Sequence, residues 1–168
     1  VPHAAPPGLA SRYGDCKDHA VLLQALLAAG GIDAGPALVN ADHAYQLPAV
    51  PTLGVLNHVI VYVPELRLYL DPTAGAVAGG FLPPSLLGKP VLLAASGEFA
   101  MTPVFQPAPS RTATRFDIAR NGSSRFRVAR TSGGASAEPY RDAMRSTPQS
   151  ARAGLVRRML AGLGQTGD

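Results

Sequence analysis

Between residues 20 and 29 the chain runs through Ala, Val and Leu with Gln24 as the single polar interruption, a string of strong helix formers that Gly30 and Gly31 stop. Upstream, Asp15 reads as an N-cap with Asp18 three positions on, a loose capping box, so Cys16 takes the first helical position. Residues 1–14, rich in Pro, Ala and Gly, read as a lead-in ending at Gly14, which permits a tight turn. A short apolar strand is expected at 36–39, followed by a Pro-rich loop over 41–55. The runs 56–63 and 66–71, separated by Pro64 and Glu65, read as a β-hairpin, and 90–94 as one more strand.

Farther along, 114–119 and 125–130 flank Asn121-Gly122, a dipeptide that favours a hairpin turn with positive φ. From Thr147-Pro148 a last helix puts Ala151, Leu155 and Met159 on one line with Val156, Leu160 and Leu163 beside it. Leu155, Val156, Met159 and Leu160 are therefore expected to face protein. The order, helix and then hairpin, predicts an α+β fold with the Cys16 helix on an antiparallel sheet.

Composition narrows this picture. At 168 residues and 46% hydrophobic, the chain can hold one domain with a real core, or one domain and an appended piece. Charged residues make up only 15%, against 18 glycines and 16 prolines, so the elements should be short and separated by loops. A shift toward Pro, Thr and Arg sets a soft boundary near Gly97, giving a core over 1–97 and a C-terminal hairpin and helical segment over 98–168. No run reaches the ~20 apolar residues of a membrane span. The opening Val1, with no basic and apolar leader after it, reads as a processed or truncated product.

The net charge of +4 is unevenly placed, with four Lys/Arg against seven Asp/Glu up to residue 98 and eleven arginines against four acids beyond. The arginines are scattered and have little aromatic residue among them. They read as a solvated face, and no nucleic acid is expected as a partner.

Chemistry concentrates around the one cysteine. A helix start favours an anion through its unsatisfied N–H groups and the dipole, which suits a nucleophilic thiol, while Asp15 and Asp18 oppose it. Of the four histidines, His3 and His43 lie in loops where nothing in the sequence fixes a ring, and His19 reads as a surface or interhelix residue. His58 opens a strand. A hairpin centred on Pro64-Glu65 pairs Val63 with Leu66, Val61 with Leu68 and Val59 with Leu70, and so sets His58 directly opposite Asp71. The carboxylate would then fix the imidazole tautomer, and Cys16, His58 and Asp71 make a nucleophile, a base and an orienting group. A zinc site from Cys16, His19, His58 and Asp71 is possible in ligand type but lacks any familiar spacing, so neither a metal nor a cofactor is expected.

"RYGDCKDHAVLLQALLAAGGI", "LNHVIVYVP" and "YLDPTAG", in that order, closely resemble the bacterial transglutaminase-like superfamily. The resemblance spans roughly residues 1–90. It implies a papain-like fold in which a cysteine-bearing helix packs on an antiparallel sheet, with Cys16 as nucleophile, His58 as base and Asp71 as its orienter. The remainder resembles the β-rich part of a subgroup whose members are often exported, implying a periplasmic or extracellular site. The implied activity is thiol-dependent acyl transfer or amide hydrolysis on a protein or peptide substrate through a cysteine thioester, with the Cys16 N–H as an oxyanion donor. The alternative is a non-catalytic module of the same fold that binds peptide or cell-envelope partners. A weaker third reading has the Arg-rich C-terminal part hold an anionic polymer.

Overall fold

In the computed structural model of the protein, residues 3–42, 45–46, 52–107, 109–162 and 164 are described. His43, Leu163 and part of the 41–55 loop lie outside them. The fold is α+β and its main sheet is antiparallel.

A short helix that the sequence reading missed, α1 (Ala5–Ser11), begins with Pro in its first turn, where a missing N–H costs nothing. It packs on α2 (Cys16–Ala29). The capping box is present in full: Oδ1 of Asp15 accepts from the N–H groups of Lys17 (2.9 Å) and Asp18 (3.3 Å), and Oδ2 of Asp18 accepts from the N–H of Asp15 (3.1 Å). Gly14 has a different purpose from the expected turn. A Cβ there would lie 2.6 Å from Cβ of Asp18, so the lead-in passes against the helix where only glycine fits.

Five strands form the main sheet: β1 (Gly35–Val39), β2 (His58–Val63), β3 (Leu68–Leu70), β4 (Pro90–Leu93) and β5 (Phe99–Met101), in the order β3-β2-β1-β4-β5. α2 lies against β2 and β1. One sheet face is built on Ala37, Val39, Ile60, Tyr69 and Val91, with Leu82 and Leu86 packed over it. By alternation Val61 and Val63 belong to the other face, and they too are buried, as is Ala20 of α2. Burying both faces of β2 explains why its sequence, His-Val-Ile-Val-Tyr-Val, is apolar almost throughout instead of alternating.

The β2–β3 register departs from the expected one by two residues. Val63 pairs with Leu68, Tyr62 with Tyr69 and Val61 with Leu70. The loop is four residues long, 64–67, closed by a hydrogen bond from the Arg67 N–H to the Pro64 carbonyl (3.1 Å), and Arg67 takes a left-handed φ of 48°. Since side chains alternate with period two, a slip of two moves every pairing and leaves every face as it was.

The boundary expected near Gly97 falls in the turn between β4 and β5, two paired strands of one sheet. The chain stays with that sheet to Gln106. Oγ1 of the buried Thr102 donates to the Leu86 carbonyl (2.6 Å) and accepts from the Lys89 N–H (2.8 Å), and the Gln106 amide bonds the backbone of Leu82 and Gly80. A separate ribbon follows, β6 (Ser110–Ile118) with β7 (Ser124–Ser132). At its tip only Gly122 has positive φ, 82°, while the Asn121 side chain accepts from Ser123. Two α-helices follow among the described residues, α3 (Glu138–Ser146), which the sequence reading missed, and α4 (Arg152–Gly162). On α4, Leu155 and Leu160 are half-buried, but Val156 and Met159 remain 37% exposed, so the apolar stripe is only partly covered.

Candidate active site

Cys16 opens α2 and is half-buried. Both acids beside it are engaged. Lys17 Nζ lies 2.6 Å from Oδ2 of Asp15, and this bond, opposed by a little burial, keeps the Asp15 carboxyl below its usual range. Asp18 receives the His3 backbone N–H at 2.7 Å and has the His3 ring Nδ1 3.2 Å from both of its oxygens. Those contacts, backbone first and ring second, hold its carboxyl down to about 2. His3, which the sequence left unfixed, is thereby tied across the start of α2, fifteen positions away in the chain. His19 is exposed, with its Nδ1 2.8 Å from the Asp15 carbonyl.

His58 begins β2 and pairs with Val39, which puts it on the Ile60 and Tyr69 face. In the observed register it stands diagonal to Asp71 rather than opposite, a separation long side chains still span. Its Nε2 lies 3.0 Å from Oδ2 of Asp71. The pair is enclosed, with 14% of the histidine side chain and 6% of the aspartate exposed. Oδ1 of Asp71 accepts from Thr73 twice, from the N–H at 2.9 Å and from Oγ1 at 2.6 Å. Burial pushes the Asp71 carboxyl up, but the bonds from His58 and Thr73 outweigh it and leave the group below its usual range. An ionised carboxylate only accepts, so the imidazole proton belongs on Nε2 and the ring's lone pair on Nδ1.

Thr73 is the residue that sequence reasoning passed over. Its signal was in plain sight, since Asp-Pro-Thr is an aspartate whose side chain can bond the backbone two residues on, after a proline that presets φ. The hydrogen bonds thus join His58, Asp71 and Thr73 in one chain, and among the described residues none joins that chain to Cys16. No three His, Cys, Asp or Glu side chains gather as a metal-holding group among the described residues, and no described helix is long and apolar enough to cross a membrane.

Beside the start of α2 lies a cleft of about 140 Å³ between the two first helices, lined by Gly8, Leu9, Tyr13, Asp18, His19 and Leu22 among others. It adjoins the cysteine's helical turn through Asp18 and His19. No family model, no curated protein and no solved structure matches this chain.

Proposed function

We propose that the protein is a thiol-dependent acyltransferase or amide hydrolase of papain-like, transglutaminase-like type, acting on protein or peptide substrates in the periplasm or outside the cell. The observation that carries this reading is the enclosed His58–Asp71 hydrogen bond, with Thr73 fixing the second carboxylate oxygen. A histidine held in one tautomer by a carboxylate that is itself held is the arrangement a catalytic base requires.

In the proposed reaction His58 Nδ1 takes the Cys16 proton, and the thiolate attacks the substrate carbonyl. The carbon–nitrogen bond then breaks, the imidazolium returns its proton to the departing amine, and a Cys16 thioester remains. Water or a second amine attacks the thioester, giving acid or transferred amide and restoring the thiol. The Cys16 N–H, unsatisfied within the helix at its first position, is the candidate donor to the oxyanion. Asp15 and Asp18 would oppose a thiolate, and their bonds to Lys17 and His3 offset that opposition.

A second reading, a binding module of the same fold without catalysis, is favoured by the missing hydrogen bond between Cys16 and His58 among the described residues. p-Nitrophenyl acetate separates the two. The enzyme reading expects a p-nitrophenolate burst with one acetyl group on Cys16, lost in Cys16→Ala and slowed on the order of 10²–10⁴-fold in Asp71→Asn, the range a general acid–base contribution spans. A burst undiminished by Asp71→Asn contradicts catalysis. Glycinamide added during turnover would divert the acetyl group in a transferase and leave acetate as the product in a hydrolase.

A further inference from the structure

β6 and β7 form a sheet of their own, and every residue of the two strands except Ser132 is exposed. A two-stranded ribbon with no packed face is marginal in water, and its open edges are templates for another strand. Hydrogen bonds from the Ala119 N–H to the Ser123 carbonyl and from the Gly133 N–H to the Pro109 carbonyl, both 2.8 Å, close the ribbon at its two ends. With the register unbroken between them, the odd-numbered residues are the ones that bond across the pair. Phe126 and Val128 therefore aim their backbone N–H and C=O groups out from the β7 edge, and among the described residues no other strand takes them.

Side chains at that edge alternate in kind. Arg125 and Arg127 lie on one face, and Phe126 and Val128, both exposed, on the other. On the arginine face Arg127 stands directly opposite Arg115, a like-charge pair that costs stability. Asp117 is the one acid of that face. It lies 3.7 Å from Arg115 Nε, and no ion pair reaches Arg125 or Arg127 among the described residues.

We propose that the β7 edge takes up an extended strand of a partner protein or peptide in which acidic and apolar residues alternate. Laid antiparallel along residues 125–128, the strand exchanges backbone hydrogen bonds with Phe126 and Val128 through its apolar residues, which pack on the apolar face. Its acids stand opposite Arg125 and Arg127 in the closer, non-bonded pairs, where Cα atoms are about 4.5 Å apart, and offset the repulsion between Arg127 and Arg115. Charge selects this occupant over a second copy of the chain, because two β7 edges paired over these residues would set arginine opposite arginine. A nucleic acid would use the arginines but neither the outward backbone groups nor the apolar face. None of these residues belongs to the Cys16, His58 and Asp71 set, so the inference stands apart from the proposed reaction.

Fluorescence anisotropy of a labelled peptide, Gly-Glu-Val-Glu-Val-Glu-Val-Gly, titrated with the full chain at physiological ionic strength decides it. The peptide should bind with a Kd below about 1 mM, and at least about tenfold more tightly than a block peptide of the same composition with its glutamates together and its valines together. N-methyl groups on the valines remove the donors to Phe126 and Val128 and should weaken binding at least about fivefold, whereas N-methyl groups on the glutamates, which lie on the far edge, should not. Arg125→Glu combined with Arg127→Glu should lose the acidic peptide by at least about tenfold and gain the matching Lys-Val peptide. Should that variant fail to fold, the block and N-methyl comparisons on the wild type still decide. A block peptide that binds as tightly, a loss from methylated valines no greater than from methylated glutamates, a short single-stranded DNA that binds more tightly than the alternating peptide, or no binding at millimolar concentration would overturn the proposal. So would a chain that sediments as a dimer until Phe126→Pro, which removes an outward N–H, since a second copy would then hold the edge.

Discussion

Asp71 is asked to be ionised in a place that penalises ionisation, and three hydrogen bonds from His58 and Thr73 make that possible. A carboxyl whose folded pKa lies below its unfolded value adds stability that is complete above the unfolded value, about 4, and is lost as pH falls through the folded one. The His58–Asp71 contact should therefore persist through neutral and mildly acidic pH. Carboxyl-carbon NMR should show Asp71 titrating below 3.8 and Asp18 near 2. A midpoint for Asp71 above 3.8 would mean that burial outweighs the bonds. Gly14 allows a steric test of the neighbouring region. Gly14→Ala drives a methyl group to 2.6 Å from Cβ of Asp18, and should cost about 1–3 kcal/mol, read as a fall in denaturation midpoint. At this scale the His58–Asp71 contact was legible because residue type and order point to it, although the register that brings the two together is not the expected one. His3 was not, since its partner lies fifteen residues away and only the folded path of α1 brings the two together.

Among the elements, α2 was the most legible, because an N-cap, an apolar run and a Gly-Gly stop all agree. The β2–β3 hairpin shows a subtler outcome. Its strands could be read from their short apolar runs and its faces from the two-residue period of any strand, but its pairing depended on loop length, and Pro64-Glu65 suggested a turn centre one residue too early. The actual loop needs a left-handed residue at Arg67, and arginine carries no sequence signal for that conformation. Its cost is testable: Arg67→Val, a β-branched residue at φ 48°, should destabilise the protein by about 1–3 kcal/mol, whereas Arg67→Gly should leave the thermal midpoint unchanged or raise it. If Val and Gly prove equivalent at this position, Arg67 does not hold that conformation. α1 and β5 escaped notice for a different reason. Each is short, at seven and three residues, and tertiary contact rather than propensity decides whether such pieces form.

Over the whole molecule, composition suggested a break near Gly97, yet the paired strands run past it to Met101, and side-chain hydrogen bonds tie the chain to the same core as far as Gln106. Composition follows solvent exposure, and the change to Pro, Thr and Arg marks where the chain comes to the surface, a few residues before the sheet is complete. The ribbon beyond has most of its charges sorted by register, Arg130 opposite Thr112 being an exception on the apolar side. Arg115 faces Arg127 and Asp117 faces Arg125 on one side, while Phe116 with Phe126 and Thr114 with Val128 share the other. This sorting explains how an arginine-rich segment can also hold exposed apolar side chains such as Ile118 and Phe116.

The five-stranded sheet fixes His58 and Asp71, and α2, packed on the same strand that carries His58, fixes Cys16. The proposed activity stands on communication between those two parts. The rate of Cys16 alkylation by iodoacetamide at pH 6, compared between the wild type and His58→Ala, measures it directly. A histidine that takes the thiol proton should make the wild type react at least about tenfold faster than the variant, because the thiolate is the reacting form and the base raises its share. Equal rates in two folded proteins would show that His58 does not act on Cys16, and would contradict the catalytic assignment.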